Sequence, residues 1–162
     1  MGSSAQVGRR AGLLGLLTFL LTSAVAWANC ADDRVDLRGD WGQARFSVEL
    51  ADDPETRSRG LMFRENLPLS AGMLFAYERP QRVAFWMRNT PIALDMIFAD
   101  ETGVVQRIQE NAVPFDETSI EGGDGIQYVL EINGGLAARM GIEVGSEMRH
   151  PSIGDMAVWA CE

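Results

Sequence analysis

From residue 44 onward the chain is cut into short apolar runs, and this is what most limits its fold. Residues 44–50, 73–77, 83–88, 92–99, 104–109, 126–132 and 156–159 each read as a strand, punctuated by Gly, Pro, Asn or Asp. In the first run Ala44, Phe46, Val48 and Leu50 alternate with Arg45, Ser47 and Glu49, the period of a half-buried strand. Only two stretches carry helix signals. Asp53-Pro54 supplies an N-cap and a proline at N1 for a helix reaching about Gly60. Asn133 is placed to cap a second helix over 136–140, stopped by Gly141. The expectation is a mainly β (α+β) chain, a compact antiparallel β-sandwich or barrel-like domain with two short helices. Residues 29–42 read as an N-terminal arm, and 43–162 as one domain. Residues 110–125 show neither period and read as a loop carrying Glu110, Asp116, Glu117, Glu121 and Asp124.

The first 28 residues read differently. Arg9 and Arg10 precede an uncharged run to Ala28, with an apolar centre at 13–25 and Ala26-Trp27-Ala28 at its end. A positive start, an apolar core and small residues at −3 and −1 describe a cleaved Sec-type secretory signal peptide, 1–28. An uncleaved anchor and a lipoprotein at Cys30 are the weaker alternatives, since the run is short for a span and Trp27-Ala28-Asn29 is a poor lipobox. The mature protein is then periplasmic or secreted, with no stable membrane span. In that compartment thiols pair, and the chain's two cysteines, Cys30 and Cys161, stand at the two ends of the mature sequence. A Cys30–Cys161 disulfide is expected, since domain termini often lie close together.

Two acids sit where apolar residues belong. Asp95 interrupts 92–98, and Glu131 interrupts 128–132. A buried carboxylate needs a partner. If Asn89-Thr90 forms a two-residue hairpin loop before Pro91, Trp86, Arg88 and Asp95 share one face, with Arg82 diagonal to Asp95. Three outcomes follow. The acids form a catalytic acid–base pair; they bind a hard cation with loop carboxylates helping; or Arg64, Arg82 or Arg88 neutralises them for purely architectural ends. Trp86, beside these polar side chains, is placed to stack on a flat ligand or to sit in the core or its rim.

Other chemistries are poorly supplied. Met62, Met73, Met87 and Met96 are soft copper ligands in principle, yet they fall at apolar strand positions without a clustered motif and read as core. His150 is the only histidine, which excludes a zinc site needing two and leaves a nucleophile one imidazole at most. The stretch 122–125 lacks the spacing and lysine of a P-loop. No metal and no cofactor are expected. Arginines number 14, lysine is absent, and acids number 23, for a net charge of −9 that disfavours nucleic acid. Removing residues 1–28 takes two arginines and no acid, so the remainder is more acidic still.

Several motifs together resemble one family. Arg59-Gly60-Leu61-Met62-Phe63-Arg64, Gly72-Met73-Leu74-Phe75, Phe85-Trp86-Met87-Arg88-Asn89-Thr90, Leu94-Asp95-Met96-Ile97-Phe98 and Tyr128-Val129-Leu130-Glu131-Ile132-Asn133-Gly134-Gly135 are similar to the pattern of the DUF192 (UPF0127) family. The resemblance covers about residues 46–149. It implies a compact β-sandwich-like domain with short helices, and transfers no activity. It puts Arg64, Trp86, Asn89, Thr90, Asp95 and Glu131 at patterned positions, with Arg88 where lysine is frequent. The function expected is an exported domain binding a small ligand or envelope partner through the Trp86/Arg88/Asp95 face. The alternatives are a hydrolase or lyase using Asp95 and Glu131, and a structural or assembly module.

Overall fold

A computed structural model describes residues 1–2 and 30–161. The expected signal segment and its cleavage after Ala28 lie outside the described residues. The strands are β1 Arg34–Gly39, β2 Gly42–Ala51, β3 Ala71–Phe85, β4 Leu94–Asp100, β5 Val105–Ala112, β6 Ile120–Asn133 and β7 Glu147–Arg149, with helices α1 Pro54–Arg59 and α2 Leu136–Met140. Among the described residues these strands make one sheet in the order β5-β4-β6-β3-β2-β1-β7. Neighbours run antiparallel except β2 and β3, which are parallel and joined through α1.

The sheet curls into a half-barrel. Its two edges meet at one corner, where Val104 bridges Glu147 and Val105 N donates to Ser146 O at 2.8 Å. The mainly β, barrel-like expectation holds. Both faces of the sheet centre are covered. Leu74, Ile97, Leu130 and Ile132 pack with Phe46, Leu136 and Met148 on one face. Met73, Phe75, Met96, Phe98 and Val129 pack with Leu61, Leu67 and Met87 on the other. Successive residues of β4 and β6 therefore enter two different cores, as the period of two requires.

Helix α1 starts as its sequence dictates: Asp53 Oδ1 accepts from Glu55 N at 2.8 Å and Thr56 N at 3.0 Å, with Pro54 at the start. The Cys30–Cys161 disulfide is formed, with Cα atoms 5.6 Å apart. Next to it, the Trp159 ring lies against the guanidinium groups of both Arg38 and Arg149, 4.4 and 4.3 Å from its centroid. No helix among the described residues is long and apolar enough to cross a membrane.

Several local expectations are corrected. The 83–99 hairpin does not form, because β6 lies between β3 and β4 and pairs with both. Runs 73–77 and 83–88 largely belong to one strand, β3, whose middle, Glu78 to Arg82, is exposed and bulged. Pro80 is tolerated there because the regular ladder is interrupted. The acid-rich interval 110–125 contains the end of β5 and the start of β6. Within 29–42, Arg34–Gly39 is a strand held between β2 and β7. The run 156–159 is not a strand. A third short helix, 3-10 in type, occupies Pro151–Met156, and His150 Nδ1 accepts from Ser152 N at its start.

Candidate ligand-binding cleft

Asp95 is fully buried on β4. Its Oδ1 accepts from Asn111 N at 2.6 Å and Gly135 N at 2.7 Å, and its Oδ2 accepts from Ala137 N at 2.7 Å. Two of these donors open α2, whose own N-cap, Gly135, has no side chain to offer. Asp95 thus caps a helix from across the sheet and satisfies backbone groups that would otherwise be stranded. Asn133, expected to do this, instead donates its Nδ2 to Leu67 O and Pro68 O, both at 3.0 Å.

Glu131 is also buried, 4 % exposed, on the opposite face. It lies opposite Met96 of β4 and Met73 of β3 in the sheet register, whereas Asp95 lies opposite Ile132. The acid–base pairing of Asp95 with Glu131 is therefore not formed. Nor do the three arginines offered as partners reach them. Arg64 pairs with Glu49 at 2.6 Å, Arg82 with Asp124 at 2.8 Å, and Arg88 lies 4.0 Å from Glu117. The Glu131 side chain has no hydrogen bond or ion pair among the described residues, and its burial pushes its pKa up to about 8. At neutral pH it is mostly a neutral carboxylic acid, able to donate one proton and accept at its carbonyl oxygen.

What Glu131 does face is a cleft of about 280 Å³. One wall is the end of α1 and the following loop, Arg57 to Met62; the other is β3 and its exit, with Phe75, Tyr77, Phe85, Trp86, Arg88 and Thr90. Gly60, at φ 50°, ends α1 and lets the chain pass close over Phe75, where an added Cβ would lie 3.2 Å from the ring. Arg57 is fixed by Ala76 O at 2.8 Å, by Glu78, and by the Tyr77 ring 5.1 Å away. Arg88 lies over Trp86 at 5.4 Å. Arg59 has no side-chain partner among the described residues and is exposed at the rim.

Of the residues expected at a site, Trp86, Arg88, Thr90 and Glu131 come together here, while Arg64 and Asp95 do not. Asn89 lies just outside, its backbone O accepting from Phe63 N at 2.7 Å. Thr90 O accepts from Phe115 N at 3.2 Å. Phe63, Asn89 and Phe115 all have positive φ, 63°, 53° and 63°. For bulky residues this is strained, at a cost of about 1–3 kcal/mol each. Phe63 and Phe115 are nevertheless 70 % and 62 % exposed, so no core contact rewards the strain. Arg57, Arg59, Phe75 and Tyr77 also line the cleft, though none was expected at a site. The signal for Arg59 was present, since it opens the Arg59-Gly60-Leu61-Met62-Phe63-Arg64 motif.

His150 is buried and serves the fold, its Nε2 lying 3.0 Å from Asp32 O. Met73, Met87 and Met96 are buried in the core; Met62 stands half-buried in the cleft wall.

The model of the DUF192 family, described as "Uncharacterized ACR", matches residues 36–150. Among solved structures, the chain is similar to a protein of unknown function from Novosphingobium aromaticivorans DSM 12444, at 44 % identity and a TM-score of 0.70, covering 71 % of this chain and 82 % of that one. It is also similar to a Sinorhizobium meliloti 1021 protein proposed to be a transcription regulator, at 37 % identity and a TM-score of 0.72, covering 77 % of this chain and 98 % of that one. Comparison with curated proteins found no match.

Proposed function

The chain belongs to the DUF192 family, and on that footing we propose that it is an exported, non-enzymatic binding domain whose small ligand enters the cleft over Glu131. One observation carries this: Glu131 interrupts an apolar stretch of β6, its carboxyl group has no protein partner among the described residues, and it opens onto a cleft. No buried side-chain oxygen or nitrogen among the described residues is left without a partner, so the Glu131 oxygens are reached through the cleft. A ligand there meets a carboxyl group held in apolar surroundings, where a hydrogen bond is stronger than in water. Strained, exposed Phe63 and Phe115 beside the cleft fit the same picture, because backbone strain gathers at functional sites. Asp95 lies on the far face, and Glu131 is the one acid among the described residues that line the cleft, which favours binding over hydrolysis by a carboxylate pair.

Export is supported by the signal-like residues 9–28 and by the Cys30–Cys161 bond, which suits an oxidising compartment. The regulatory role proposed for the Sinorhizobium relative is not extended to this chain, whose net charge of −9 opposes contact with nucleic-acid phosphates.

The test is native mass spectrometry of the protein purified from the cell envelope without denaturation. The expected result is a chain beginning at Asn29 that carries a small-molecule adduct, absent from the Glu131→Leu variant. An unliganded chain whose melting temperature no fraction of the envelope extract raises would refute binding. An intact residue 1–28 segment in the cytoplasm would refute export.

A further inference from the structure

The chemistry of the cleft narrows what it holds. In a chain of net charge −9, the lining contains three arginines, Arg57, Arg59 and Arg88, and a single acid, Glu131. Burial pushes the pKa of that acid up to about 8, which favours its neutral form at neutral pH. Glu78 stands against Arg57 and Glu117 lies 4.0 Å from Arg88, so Arg59 supplies the excess positive charge, and the cleft is a locally cationic recess in an acidic protein.

The arginines are not equivalent. Arg57 is committed to Glu78, Ala76 O and the Tyr77 ring. Arg88 has only Glu117 as a counter-charge, at 4.0 Å, and half of its side chain is exposed. Arg59, on the other wall, has no partner among the described residues. Two guanidinium groups with free donors thus stand on either side of one opening, and guanidinium is the group best shaped to grip an oxyanion. Between mouth and floor the walls are Phe75, Tyr77 and Phe85, which accept an apolar body and repel a highly hydrated one. The floor offers one O–H donor.

We propose that the ligand of this cleft is a small organic oxyanion with an apolar body, its anionic group held between Arg59 and Arg88 and its far end reaching Glu131. This rests on the cleft over Glu131 being a binding site, and specifies its ligand class. A cation is disfavoured by the three guanidinium groups. A bare inorganic anion leaves the aromatic walls and Glu131 unused.

The test uses matched triplets that share a body and differ in charge: benzoate, benzamide and benzylamine; hexanoate, hexanamide and hexylamine. Each is titrated into the purified protein while backbone amide NMR shifts are followed. The expected result is shifts centred on Leu61, Thr90 and Glu131, with the carboxylate of a triplet binding about ten-fold more tightly than its amide and the amine not at all. Arg59→Ala and Arg88→Ala should each weaken the carboxylate by about ten-fold and leave the amide unchanged, whereas Arg64→Ala, outside the cleft, should change neither. If the amide or amine binds at the same residues as tightly as the carboxylate, the oxyanion proposal fails and the cleft remains a binding site. If carboxylate binding shifts other residues, or survives both arginine substitutions, the proposal fails as well. If no probe moves the cleft amides, both the ligand class and the cleft itself are refuted as proposed.

Discussion

Asp95 and Glu131 point to opposite faces of one sheet. In the register of β4 against β6, Asp95 stands across from Ile132 and Met96 stands across from Glu131. Each acid interrupts an apolar run, yet they have opposite fates. Asp95 is saturated with backbone donors and faces the core that contains α2. The Glu131 carboxyl has no protein partner among the described residues and opens onto a cleft. One carboxylate belongs to the architecture, and the other is free for a ligand.

The Asp95→Asn variant should lose about 3 kcal/mol of stability, because its amide offers one acceptor oxygen to three backbone donors and leaves at least one stranded. Urea unfolding should show a lower midpoint with an unchanged slope. Wild-type stability in this variant would contradict the capping role.

For Glu131 the sign of the pH effect is definite. Its folded pKa is pushed up from 4.5 to about 8, so between those values the folded state holds a proton that the unfolded state has released. Stability therefore falls as pH rises from the unfolded value to the folded one, and levels off above it. Melting temperature should decline from pH 5 to pH 9 in the wild type, and this part of the decline should vanish in Glu131→Gln. Glu131→Met, placed across from Met73 and Met96, should melt higher than the wild type at neutral pH while losing ligand. A lower-melting Glu131→Met protein would mean that Glu131 serves the fold.

Asp36 behaves in the reverse sense. Burial alone would raise its pKa, but hydrogen bonds from Arg45 and Arg149 outweigh that and hold it below the usual carboxylate range. Both arginines approach to 2.6 Å. Asp36→Ala leaves Arg149, with 11 % of its side chain exposed, without its carboxylate, and should cost about 3–5 kcal/mol. The contribution is present above the unfolded pKa and lost as pH falls through the folded one. Acid titration of stability should thus be flatter in Asp36→Asn than in the wild type.

Breaking the Cys30–Cys161 bond frees a loop with a sequence separation of 131. Chain entropy puts its contribution at about 5 kcal/mol. Denaturant unfolding of the Cys30→Ser/Cys161→Ser protein should shift by a large part of that. The fluorescence of Trp159, held between Arg38 and Arg149, should report release of the tail. An unchanged midpoint would show that the ends are held by other contacts.

Much of the fold was legible locally. The alternation over 44–50 became β2, Asp53-Pro54 opened α1, and Gly141 ended α2 at φ 79°. The cysteines paired as expected. What failed depended on distant partners. A hairpin through Asn89-Thr90 is the cheapest local solution, yet segment 86–93 leaves the sheet and β6 enters between its neighbours. Exposed Glu78 to Arg82 looked like a break between strands, because a bulged strand and a turn have similar composition. Of the cleft, Trp86, Arg88, Thr90 and Glu131 were legible as polar or aromatic residues out of keeping with apolar neighbours. Arg59 carried a signal only as the first residue of its motif, and Arg57 and Tyr77 carried none, because nothing in their own sequence neighbours says which cleft they will border.

By itself the sequence determined a strand-rich chain with two short helices, an acidic surface, a pair of cysteines able to join its ends, and two acids in apolar runs. These follow from side-chain period, capping chemistry and charge, forces that act over a few residues. Only the tertiary structure decided which acid is satisfied and which is open. With a period of two, a strand presents alternate residues to opposite faces, and the face each acid meets is set by the register between β4 and β6. That register is chosen by total burial across segments more than twenty residues apart. It sends Asp95 to the backbone donors of α2 and Glu131 to the arginine-rimmed cleft.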